Sequence, residues 1–159
     1  MARVSTYLNF PGTTEAAFAH YRRVFGTDFE TPPMRFADMP AQPGQAPLPD
    51  GAHQKIMHVA LPILGGHVLM GTDVIPGAGC GDLEQGNAVT LNLEPDTRAE
   101  ADRLYAALAE GGQADAPMAD VFWGAYWGVV QDRFGLRWMI NVNQPTQPAN
   151  SAANPTNPA

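Results

Sequence analysis

Val4-Ser5-Thr6-Tyr7-Leu8-Asn9-Phe10, closed by Pro11-Gly12 and followed by Thr13 to Gly26, is the stretch on which the fold turns. Its first seven residues are rich in β-branched and aromatic side chains and end at a turn dipeptide, which predicts a strand. After the turn, Thr13 or Thr14 offers a helix cap. Ala17, Phe18, Tyr21, Val24 and Phe25 then recur at three-to-four spacing until Gly26 stops the run. A strand feeding directly into an amphipathic helix implies that the helix lies on a sheet.

The same order recurs further on. Ala88 to Leu93 alternates as a strand. Thr97 with Glu100 three residues later fits a capping box, and Ala101, Leu104, Tyr105 and Leu108 form the apolar stripe of a second helix ending at Gly111-Gly112. In the first half, Ile56 to Leu61 and His67 to Met70 flank Gly65-Gly66 and read as a hairpin. Residues 28–36 are expected as an edge strand, because Pro32-Pro33 removes two backbone donors; residues 37–51 are expected as a loop. In the second half, strands are expected near 113–121, 126–131 and 136–142, with Phe134-Gly135 at the last turn. The predicted order is therefore strand-helix-strand-strand-strand, twice, with module one at about 1–75, module two at about 87–143 and one domain over 1–143. Residues 144–159 have no apolar face and are expected to be a disordered Pro/Asn/Ala-rich tail.

Composition narrows the function. The 159 residues suit one domain with one core. A net charge of −7 repels phosphate backbones and anionic lipids, so no nucleic-acid or membrane role is expected. No apolar run approaches the ~20 residues needed to span a bilayer, and the first residues show no signal-peptide hydrophobic region, so a cytoplasmic location is expected. The single cysteine, Cys80, lies in Gly77-Ala78-Gly79-Cys80-Gly81 and reads as an incidental loop thiol.

Tyr7-Leu8-Asn9-Phe10, Glu15-Ala16, His20-Tyr21 and Val24-Phe25-Gly26 in the first half match a known pattern. So do Ala119-Asp120-Val121-Phe122-Trp123-Gly124, Tyr126-Trp127-Gly128 and Asp132-Arg133-Phe134-Gly135-Leu136-Arg137-Trp138 in the second. Together they resemble the PhnB-like branch of the glyoxalase/bleomycin resistance/dioxygenase (vicinal oxygen chelate) superfamily. The resemblance implies an α+β fold in which two βαβββ modules form a curved mixed-sheet cup with helices outside, the glyoxalase/bleomycin resistance/dihydroxybiphenyl dioxygenase fold. It also implies a homodimer. Metal-dependent relatives take His and Glu or Gln ligands from four strand positions, which fall here at Ser5 or Thr6 (Tyr7 at the outer limit), at Met70, at or beside Thr90, and at or beside Met139, with Asn141 two residues on. These are hydroxyls, thioethers and amides rather than the imidazoles and carboxylates a hard or borderline ion needs. No metal and no other cofactor is therefore expected, with a divalent metal as the alternative.

Strand alternation suggests a ligand-binding face drawn from Tyr7, Asn9, His58, Met70, Thr90, Asn92, Trp123, Trp127, Met139 and Asn141. His58 is the candidate catalytic residue, a proton shuttle. Trp123, Tyr126 and Trp127 read chiefly as packing, and Asp120 and Asp132 as turn residues bonded to their own backbone. His67 is expected to face solvent. Relatives have been labelled ubiquinone-pathway methyltransferases, yet no Gly-rich loop joins a strand to a helix here. The expected function is binding of a small organic molecule without the usual metal. A glyoxalase- or dioxygenase-type lyase or isomerase and a structural or partner-binding domain are the alternatives.

Overall fold

The computed structural model describes residues 2–40, 47–76 and 82–143. Two copies of one arrangement follow each other in the chain. The first comprises β1 (Thr6–Phe10), α1 (Thr14–Phe25), β2 (Met34–Arg35), β3 (Ile56–Pro62) and β4 (Val68–Asp73). The second comprises β5 (Leu91–Leu93), α2 (Arg98–Ala109), β6 (Gln113–Val121), β7 (Ala125–Gln131) and β8 (Arg137–Asn143). Each module makes a four-stranded sheet, β1-β4-β3-β2 and β5-β8-β7-β6, in which the first strand runs parallel to the last and the others are antiparallel. The predicted element order is thus observed. The sheets are hydrogen-bonded as two units and do not close into a barrel.

Alternation sorts the two faces. Leu8 and Phe10 of β1, Leu69 of β4, and Trp138, Ile140 and Val142 of β8 enter the same core as Phe18, Tyr21 and Val24 of α1 and Leu104 and Leu108 of α2. Each fully buried side chain of this size contributes about 1.5–3 kcal/mol, so one hydrophobic core joins both modules. The close approach of α1 to its sheet depends on Gly71, where a Cβ would stand 2.4 Å from Cε2 of Phe18.

Several local expectations are corrected. The edge strand expected over residues 28–36 shrinks to Met34–Arg35, after Pro32-Pro33, because proline cannot supply the ladder N–H. The strand expected over residues 88–93 begins only at Leu91, so Thr90 precedes it and is exposed. At α1, Thr13 makes no side-chain cap. The Thr14 N–H and hydroxyl instead both donate to Oδ1 of Asp73 at 2.9 and 2.6 Å, while Oδ2 of Asp73 accepts the Ile56 N–H at 2.8 Å. A buried carboxylate at the end of β4 therefore ties the helix start to β3. At α2 the predicted Thr97 cap is present, its hydroxyl oxygen accepting the Glu100 N–H at 3.2 Å. Gly65 and Gly66 turn the β3–β4 hairpin with φ of 67° and 74°, as the sequence suggested. Cys80 and the segment 144–159 lie outside the described residues.

Candidate functional site

The face of each sheet turned away from the helices carries most of the predicted site. Tyr7 pairs with Met70, and Asn9 with Thr72, across the parallel β1–β4 ladder; Ala60 pairs with Met70 on the other side. In the second sheet Asn92 pairs with Met139, and Trp127 with Asn141. Since Leu8, Phe10, Leu69, Trp138 and Ile140 point into the core, their neighbours Tyr7, Asn9, Met70, Met139 and Asn141 point the other way. His58 joins them by ordinary alternation, two residues before Ala60 in β3. The β2–β3 register shifts between Met34 and Arg35, which pair with His58 and Ile56, and His58 stacks on Tyr7 with ring centroids 5.9 Å apart at 28°. Nδ1 of His58 lies 3.4 Å from the Tyr7 hydroxyl. Burial raises the Tyr7 phenol above its ordinary value, partly offset by a hydrogen bond with the Thr72 side chain, so Tyr7 is a neutral donor at neutral pH.

Two predicted residues stand apart. Trp123 sits in the β6–β7 turn, more than half exposed, packed edge-on against Phe122 at 4.9 Å and Trp127 at 5.9 Å. Thr90 borders a crevice of about 430 Å³ shared with Thr6, His67 and Asn92. His67 is not simply solvent-facing, because its Nε2 lies 2.9 Å from the Thr6 hydroxyl. A second cleft of about 350 Å³ brings Tyr7 and Asn9 together with Arg137, Val89 and Gln85. Sequence reasoning missed Arg137. It pairs with Gln131 in the ladder beside Met139 and forms an ion pair with Asp115 at 2.8 Å.

The parallel ladders set Tyr7 opposite Met70 in the first module and Asn92 opposite Met139 in the second. A phenol, an amide and two thioethers do not suit a hard or borderline divalent ion. Among the described residues no three His, Cys, Asp or Glu side chains gather into a metal-sized group. The donor set does not fit the metal of the related enzymes, and no reaction step is derived through one.

Asp120 and Asp132 part company. Asp132 does hold its turn, its Oδ1 accepting the Phe134 and Leu136 N–H groups at 2.8 and 3.0 Å. Oδ2 also accepts from the Tyr21 hydroxyl at 2.7 Å and from Nε1 of Trp138 at 2.8 Å. Asp120 is not a turn residue; it lies in β6 and forms a two-pronged ion pair with Arg98 of α2. Tyr126 faces the helix side, donates to Asp102 at 2.7 Å and lies under the Arg98 guanidinium.

His20, which the sequence marked only as part of the family pattern, is a buried histidine. It is 1% exposed, its Nδ1 lies 3.3 Å from Arg133, and among the described residues its Nε2 has no hydrogen-bond partner. Burial, then the Arg133 and Arg23 charges, push it below its ordinary value despite the opposing Asp132 and Glu110. The unfolded chain therefore binds the proton first as pH falls. The stability contributed by neutral His20 is complete above about 6.5 and is lost as pH falls from there through the lowered folded value. In urea titrations from neutral to mildly acidic pH, His20→Gln is expected to flatten this part of the profile; an unchanged slope would contradict the assignment.

A family model described as 3-demethylubiquinone-9 3-methyltransferase matches residues 2–141. This chain belongs to that PhnB-like family. It is 32% identical to the protein YjdN of Escherichia coli strain K12 over 151 residues, 91% of this chain and 99% of YjdN. Among solved structures, protein PA1353 of Pseudomonas aeruginosa superposes with a TM-score of 0.77 at 34% identity, covering 91% of this chain and all of that one. A PhnB protein of Bacillus cereus, described as a putative 3-demethylubiquinone-9 3-methyltransferase, gives 0.63 at 18%, covering 89% and 99%. The fold of this PhnB-like chain is that of the glyoxalase/bleomycin resistance/dioxygenase superfamily, and the specific activity is undetermined. Among its described residues no helix is long and apolar enough to cross a membrane.

Proposed function

We propose that this PhnB-like protein reversibly binds a flat organic molecule against the open face of its sheets, without a metal. The observation that carries the reading is the Tyr7–His58 stack, set beside Met70 on a half-buried surface. Aromatic rings next to a polarisable thioether suit a planar, weakly polar ligand. The amides of Asn9, Asn92 and Asn141 supply orienting donors and acceptors without fixed charge. His58 serves as a contact and a candidate proton shuttle.

A homodimer is part of the proposal. Phe122 is 97% exposed and Trp123 56%, and aromatic side chains of this kind are enriched where proteins meet. Sedimentation of the purified protein at several concentrations measures it, and a monomer throughout removes that part.

The binding test is a thermal-shift screen of flat organic compounds, antibiotics included, followed by calorimetry on the hits. Tyr7→Ala is expected to weaken a hit by roughly tenfold, about 1.4 kcal/mol, while the unliganded Tm stays close to that of the parent. An unchanged affinity in Tyr7→Ala and Met139→Ala would refute the location. Stoichiometric transition metal in protein purified without chelator, lost on His58→Ala, would refute the metal-free reading and favour a lyase or isomerase.

A further inference from the structure

Lys55 is the only lysine in the chain. It follows a short 3-10 turn, Ala52–Gln54, and immediately precedes β3. Its ammonium donates to the Gly12 carbonyl at 3.2 Å, and among the described residues it joins no ion pair. The stem lies across the bare Cα of Gly12. A methyl group there would sit 2.7 Å from Nζ and 3.3 Å from Cε, and the φ of +89° already favours glycine. Gly12 therefore leaves room for this ammonium to lie half-buried at the edge where the parallel strands β1 and β4 both end.

That edge opens on a hollow of about 400 Å³ lined by neither Tyr7 nor His58, with Leu83 standing between it and the cleft beside Tyr7. Pro11, Ala52, Ile75 and Leu83 give it apolar walls, and Asp50 and Asp82 line it along with Lys55. One ammonium and two carboxylates border a surface that is otherwise apolar. A bare anion would be drawn by Lys55 and repelled by the two aspartates, in a protein already carrying −7. A bare cation would compete with Lys55. A molecule bearing both signs on a short apolar body satisfies all three groups, and charge-assisted hydrogen bonds to ionised partners are the stronger kind.

We propose that this hollow is a second ligand site, binding a small apolar zwitterion of the aliphatic amino-acid type. The ligand carboxylate lies on Lys55, its ammonium between Asp50 and Asp82, and its side chain against Ile75 and Leu83. The site is independent of the open-face ligand.

The single lysine makes the test direct, because protein labelled with [13C]lysine gives one lysine side-chain spin system. L-Leucine is expected to shift the Lys55 ε resonance saturably. 4-Methylpentanoate, which lacks the amine, and leucinamide, which lacks the carboxylate, are each expected to bind roughly tenfold more weakly. By calorimetry, Lys55→Met loses leucine binding while Lys55→Arg retains most of it, with both variants keeping the parent Tm. A Lys55 signal unmoved by leucine overturns the proposal, as does 4-methylpentanoate binding as tightly as leucine, or full binding by Lys55→Met.

Discussion

Asp132→Ala is expected to destabilise the protein by about 4 kcal/mol, among the largest losses any single substitution should produce. The carboxylate is buried and accepts from four donors at once: the Phe134 and Leu136 N–H groups, the Tyr21 hydroxyl and the Trp138 indole. Alanine leaves all four without their acceptor. Two of them belong to Tyr21 and Trp138, both fully buried and in edge contact with centroids 5.5 Å apart. Burial and the Asp132 charge hold the Tyr21 phenol well above its ordinary value, so Tyr21 is a committed donor to Asp132. Tyr21 is on α1 of the first module and Asp132 lies between β7 and β8 of the second, so the loss also loosens one module from the other. Asp132→Asn keeps an acceptor oxygen and is expected to cost about half as much. Urea and thermal denaturation followed by tryptophan fluorescence measure both. A Tm within roughly 2 °C of the parent in Asp132→Ala, where roughly 10 °C is expected, would show that water replaces the carboxylate at little cost.

Gly112→Ala is the second large effect, expected at about 3 kcal/mol through a clash that cannot relax. A Cβ at residue 112 would stand 2.3 Å from the Gln131 carbonyl oxygen, 2.9 Å from Cα of Asp132 and 3.0 Å from its carbonyl carbon. All three are main-chain atoms of the strand end that β6 must pair with, and Gln113 is already in register with Gln131. The start of β6 has to move, or the Asp132 turn has to give. Gly71→Ala meets instead the ring of Phe18, a side chain that can shift, and should cost less. Gly86→Ala meets nothing within 4 Å and should stay within about 0.5 kcal/mol of the parent. Equal stability of the Gly112 and Gly86 variants would sink the steric argument.

Much of this was legible in the sequence because it depends on local pattern. The apolar stripe from Ala17 to Phe25, the Thr97 cap and the alternation in Tyr126 to Gln131 and Leu136 to Val142 each report a period or a turn within a dozen residues. Together with the motifs around His20-Tyr21 and Asp132 to Trp138 they carried the element order and the family. The same alternation put Tyr7, Asn9, Met70, Met139 and Asn141 on one face, because side-chain direction in a strand follows parity. Parity also placed His58 beside Tyr7, since His58 alternates with Ala60 on the same face. It failed at Thr90, because β5 starts only at Leu91 and Asn92 stands opposite Met139.

By itself, then, the sequence determined two strand-helix-strand-strand-strand modules, since these follow from residue type and spacing. Only the tertiary structure decided that Asp132 holds Tyr21 from 111 residues away, that Asp73 anchors the start of α1 at Thr14, that His20 is buried beside Arg133, and that Gly12 makes room for Lys55. Those contacts join groups far apart in the chain. Their geometry follows from how the helices and sheets pack in three dimensions, which no local period encodes.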